Sequence, residues 1–104
     1  MGERDRRLAE NENVFRRINE QVEDLAVGGS AAFLCECSDA ACTDRVELTI
    51  AAYEDVRAAP NRFVVRTGHE QPDVETVLDQ GNGYVVVEKR GEAGGVAAED
   101  DPRS

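Results

Sequence analysis

Residues 31–49 read Ala31-Ala32-Phe33-Leu34-Cys35-Glu36-Cys37-Ser38-Asp39-Ala40-Ala41-Cys42-Thr43-Asp44-Arg45-Val46-Glu47-Leu48-Thr49. The run from Ala31 to Cys37 suits a strand. Ser38 to Ala41 is a polar turn, and the alternation of Arg45 to Thr49 suits a second strand. On an extended chain Cys35 and Cys37 point to the same face, with Cα atoms roughly 6.5 Å apart. The turn folds Cys42 back toward them. Three thiols therefore gather where two strands meet.

Working outward, the N-terminal segment reads as a helix within residues 1–27. There is no Gly or Pro from Glu3 to Ala26, and Gly28-Gly29 ends it. Leu8, Phe15, Ile18, Val22 and Leu25 form a stripe on one face, while Arg, Glu, Asn and Gln fill the others. The stripe either packs on the protein's own sheet or pairs with a partner or a second copy. Barely three heptads long and interrupted by Asn11, it is too short for a long coiled coil.

On the C-terminal side, Thr49 is an N-cap candidate for a short helix over 50–58, stopped by Pro60. Arg62 to Arg66 reads as a third strand, and Gly68 to Pro72 as a loop. Residues 73–80 carry both signals: Val74, Val77 and Leu78 have helical spacing, but Val74, Thr76 and Val77 are β-branched. The strand reading is favoured, with Gly81-Asn82-Gly83 as a hairpin turn into Tyr84 to Glu88. Residues 1–90 make one small domain, with 31–90 as its sheet part. Residues 91–104 have the composition of a disordered acidic tail.

The chain has 104 residues, 22 acidic and 12 basic side chains, a formal charge of −10 and no Trp. This describes a small soluble protein with a thin core, a class that often needs a metal or a partner. Acid exceeds base in every broad segment: seven to five in 1–26, six to four in 27–66, five to two in 67–90, four to one in 91–104. That argues against nucleic acid as a partner, since affinity there comes from Lys and Arg neutralising phosphates. No apolar run is long enough to span a membrane. The charged start lacks the apolar core of a signal peptide, so a cytoplasmic location is expected.

The cysteines form C-x-C-x4-C, and the chain's only histidine, His69, follows the third strand. Three thiolates and one imidazole are a complete tetrahedral set for zinc. Cys35, Cys37, Cys42 and His69 are therefore the candidate metal ligands. One ion would staple the loop after the third strand to the cysteine turn, and its binding free energy would become folding free energy. Asp39, Asp44 or Glu70 are alternative fourth ligands. Competing readings are small buried apolar cysteines and a Cys37–Cys42 disulfide.

A site closed by four protein ligands leaves no position for substrate, so no enzyme is expected; a small cysteine enzyme built on a Cys–His nucleophile pair is the remaining alternative. The H-x-E…P-C-x-x-C pattern of zinc deaminases is missing, as are H-E-x-x-H and a phosphate-binding Gly-rich loop. A [2Fe–2S] cluster is the alternative cofactor, because mitoNEET-type proteins also use three cysteines and one histidine beginning with C-x-C. That resemblance stops after Cys37. The family places its third cysteine farther on, followed by D-G-x-H, whereas Thr43-Asp44-Arg45 follows Cys42. A redox switch, in which oxidised thiols release zinc, would use the same four residues.

Phe33-Leu34-Cys35-Glu36-Cys37 through Cys42-Thr43, Arg62 to Val65 with Gly68-His69-Glu70, and Tyr84 to Lys89 together resemble a group of small uncharacterised bacterial proteins. These share F-x-C-x-C-x4-C, F-V-V-x-x-G-H-E and G-Y-x-V-V-E-K in that order. The resemblance covers nearly the whole chain and implies that the three cysteines and His69 act as one unit; it implies no activity. The expected fold is α+β: a long N-terminal amphipathic helix on a small, mostly antiparallel sheet, with a zinc-knuckle-like Cys3His site. The expected function is a zinc-stabilised protein-interaction or regulatory module.

Overall fold

The structure, a computed structural model, describes residues 3–37, 39, 41–91 and 95, with side chains described from residue 12 onward. The tail expected over 91–104 falls outside the described residues save for Gly91 and Gly95, as does the side chain of Leu8.

The elements are α1 (Glu3–Leu25), β1 (Ser30–Leu34), β2 (Arg45–Thr49), α2 (Ile50–Val56), β3 (Arg62–Arg66), β4 (Glu75–Gln80) and β5 (Tyr84–Lys89). The fold is α+β, as expected, but the strands form two antiparallel sheets. One is β1–β2; the other has the order β3–β5–β4.

Chain chemistry explains most of the boundaries. Thr49 caps α2, its hydroxyl accepting from the Ala52 amide at 3.0 Å. The ambiguous 73–80 stretch is a strand from Glu75 to Gln80, with Val74 in the turn before it. A bulge between Val77 and Asp79 interrupts its pairing with β5, and the residues of this strand after Glu75, Leu78 among them, are exposed. The Tyr84 ring lies over Gly81 in the hairpin turn, where a Cβ would come within 2.1 Å of it and displace the ring.

The first strand is shorter than expected and ends at Leu34, before the cysteines. Beyond it the chain changes sheets. The Cys35 amide still bonds to Asp44 of the first pair (3.0 Å), but the Glu36 amide bonds to the Val64 carbonyl of β3 at 2.8 Å. The segment 35–37 is thus a bridge between the two sheets.

Two apolar clusters follow from this layout. Phe33, Val46, Leu48, Tyr53, Val56 and Val64 form one. Phe63, Val65, Val85 and Val87 form the other, together with Cys35 and Cys37. Successive strand residues point to opposite faces, so β3 sends Phe63 and Val65 into one cluster and Val64 into the other. All three are fully buried.

α1 packs differently from the expected stripe. Among its described side chains, Glu12, Asn13, Arg16 and Asn19 are the buried ones. Phe15 and Val22 are half-buried, whereas Ile18 and Leu25 are exposed. The polar face finds partners in the body of the fold. Asn19 clamps Leu34, accepting from its amide at 2.7 Å and donating to its carbonyl at 2.9 Å. Arg16 donates to the Pro60 carbonyl and lies over the Phe63 ring. Lys89 reaches up from β5 between Glu12 and Glu75. Over its described side chains, hydrogen bonds and ion pairs from Glu12, Arg16 and Asn19 hold this helix on the body of the fold, with Val22 packed against the first apolar cluster.

Candidate metal centre

Four side chains from three segments converge beside the second cluster. Cys35 and Cys37 lie on the bridge between sheets, Cys42 after the turn, and His69 in the loop leaving β3. Asp39 shapes that turn: its carboxylate accepts from the Ala41 amide at 2.9 Å, and its carbonyl accepts from the Cys42 amide at 3.0 Å. Gly68 adopts φ 95°, a left-handed conformation suited to glycine. The turn is closed by the His69 amide donating to the Arg66 carbonyl at 2.9 Å. It carries the imidazole back over the thiols.

The ligand atoms of Cys35, Cys37, Cys42 and His69 all lie within 4.8 Å of one another. His69 Nδ1 is 3.5 Å from Cys35 Sγ and 3.7 Å from Cys42 Sγ. In a tetrahedral site with Zn–S of about 2.3 Å and Zn–N of about 2.0–2.1 Å, the sulfur–nitrogen edge is about 3.6 Å. Those two separations match that edge, and the four side chains form a group that could hold a metal ion. All four residues singled out in the sequence are brought together. The three cysteines are free thiols rather than a disulfide.

The thiols are not equivalent. A hydrogen bond from the Cys35 thiol, helped by His69 and opposed by burial, pulls Cys37 down to about 5. Donating that bond, together with burial, pushes Cys35 up. Burial also raises Cys42. Cys35 Sγ also accepts from the Arg66 amide at 3.1 Å.

The alternative oxygen ligands are placed elsewhere. Asp39 is used in its turn, and Glu70 Oε1 accepts from the Gly68 amide at 2.7 Å. Asp44 sits on the far side of the imidazole, with Oδ2 at 3.4 Å from His69 Nε2.

Glu36 is a residue that the sequence reading passed over. It is fully buried. One carboxylate oxygen accepts from Asn19 Nδ2 (2.9 Å) and the Tyr53 hydroxyl (2.8 Å). The other accepts from the Val64 amide at 3.0 Å. The signal was present in the alternation: if Cys35 and Cys37 face one way, the residue between them faces the other.

Among the described residues, no helix is long and apolar enough to cross a membrane. No family model, curated protein or solved structure matches the chain.

Proposed function

We propose that Cys35, Cys37, Cys42 and His69 bind one zinc ion as a closed structural site, and that the protein is a zinc-stabilised interaction module acting by binding rather than catalysis. The observation that carries this reading is the set of four ligand atoms within 4.8 Å, with sulfur–nitrogen separations of 3.5 and 3.7 Å. A two-iron cluster shares its four ligands between two metals, which separates them into two pairs. The single tight group favours one ion. Coordination through Nδ1 would leave the imidazole proton on Nε2, the side on which Asp44 stands, in the manner of carboxylate–histidine–zinc arrangements.

Metal analysis of the purified chain should return about one zinc per chain. Cobalt substituted for zinc should give an intense tetrahedral visible spectrum with thiolate charge transfer. Cys42→Ser should lower metal content and thermal stability together. Iron with a broad visible band would replace this reading with the cluster, and a chain that takes up no metal would end both.

A thiol switch on the same residues is the second reading, favoured by three free thiols gathered at one point. Peroxide would take two electrons from two thiols, joining them as a disulfide with loss of two protons and release of the metal. Reversible zinc release under mild peroxide supports it; inert thiols eliminate it.

A further inference from the structure

Because α1 turns Glu12, Asn13, Arg16 and Asn19 inward, three of its apolar residues, Val14, Ile18 and Leu25, look outward while Phe15 and Val22 are half-buried. Val14 is 48% exposed, Ile18 43% and Leu25 80%. An amphipathic helix of a self-contained domain ordinarily does the reverse. We propose that this face is covered by the same face of a second copy, with the two α1 helices antiparallel about a two-fold axis. The proposal rests on the interaction-module reading and names its partner; it does not depend on which metal is bound.

The spacing and the charges specify the arrangement. Val14, Ile18, Gln21 and Leu25 recur at intervals of four, three and four, the repeat of a helix–helix seam. With the axis passing between residues 19 and 20, Val14 meets the partner's Leu25 and Ile18 meets the partner's Gln21. The same register sets Arg17, exposed on the flank of the seam, against the partner's Asp24, also exposed. The axis repeats every contact, so the Arg–Asp pair forms twice.

Each face brings its own counter-charge at the matching position. A parallel pair would instead set Arg17 beside the partner's Val22, so the charges select the antiparallel arrangement. Gln21 in the seam fixes register at some cost in affinity. One helix face per copy is a small interface, and two chains of charge −10 repel each other. The dimer therefore dissociates in the micromolar range or above.

Sedimentation equilibrium of the full chain, from about 10 μM to about 1 mM, tests this. The expected result is a monomer–dimer equilibrium, weakened at least tenfold by Ile18→Glu. That residue is already in solvent, so circular dichroism and metal content should match the parent chain. Arg17→Asp and Asp24→Arg should each weaken the dimer, and the double reversal should restore it. A chain that stays monomeric throughout overturns the proposal, as does a dimer indifferent to Ile18→Glu or a double reversal that fails to restore association. Metal content measured on the same samples keeps the two readings apart. A monomer with one zinc per chain removes only the dimer, and a dimer without metal removes only the zinc site.

Discussion

Glu36 stands between two thiols, yet its carboxylate points away from them and into the protein. There it accepts from a residue of α1, a residue of α2 and the backbone of β3. Burial raises its pKa, and the hydrogen bonds from Asn19, Val64 and Tyr53 work against that rise. A buried carboxylate is costly unless its lone pairs are satisfied, so the surrounding donors are as much a part of the site as the ligands. Glu36→Ala would leave three buried donors short of an acceptor. At about 1–3 kcal/mol for each unsatisfied group, urea unfolding should show a loss of about 3–5 kcal/mol. Tyr53→Phe removes one donor and leaves the carboxylate two others, so about 1–2 kcal/mol is expected. Equal effects of the two substitutions would mean that the carboxylate is not the hub of the network.

The elements differ in how far the sequence revealed them. β1–β2, α2, β3 and the β4–β5 hairpin were legible because each carries its own local signal: the Thr49 cap, β-branched runs, and the glycines of the turn. The candidate metal centre was legible because its candidate ligands are few, three cysteines within eight residues and a single histidine. The seating of α1 was not, because the residues that decide it are distant in sequence. Asn19 is matched by Leu34 and Glu36, Arg16 by Pro60, and Glu12 by Lys89. No periodicity rule announces that a polar face will find such partners. Lys89 is the most exacting of them, holding Glu12 and Glu75 on either side with all three side chains buried. Burial alone would lower the lysine's pKa, but the two carboxylates outweigh it and the net shift is upward. Glu12 is raised well above the usual carboxyl range by burial, against the pull of Lys89. Lys89→Met should therefore cost about 3–5 kcal/mol at neutral pH, as for a buried pair that loses one partner. Without the ammonium the Glu12 carboxyl rises further. A raised carboxyl favours the folded state below its usual value, and that contribution is lost as pH rises through the folded one. The melting temperature of the variant should accordingly fall from about pH 5 to about pH 8 more steeply than that of the parent chain. Parallel pH profiles would show that the lysine does not bear on these carboxylates.

At the scale of the whole molecule, two small sheets must be held as one body. Neither is large: the first has two strands of five residues, and the second has three strands. A two-stranded pair is marginal by itself. What joins the sheets is β3, with apolar residues on both faces, the bond from the Glu36 amide to Val64, and the four side chains of the candidate metal centre. Those side chains tie the β1–β2 connection to the loop at the end of β3. A metal there would act across the two sheets, where a thin core has least to offer. Its binding free energy adds to stability as long as the unfolded chain binds it weakly. With free metal at a thousandfold excess over Kd the linkage is worth about 4 kcal/mol. In a domain of this size each kcal/mol moves the melting temperature by about 4–8 °C. Removing the metal with a strong chelator should therefore lower the melting temperature by about 15–30 °C. In hydrogen exchange the loss of protection should appear first in β1, β2 and residues 35–37, with the β3–β5 pairing outlasting them. The order matters as much as the size. A metal serving only as a surface ligand would leave the melting temperature in place. Uniform loss of protection would mean that the β3–β5–β4 sheet depends on the metal as fully as the first sheet does.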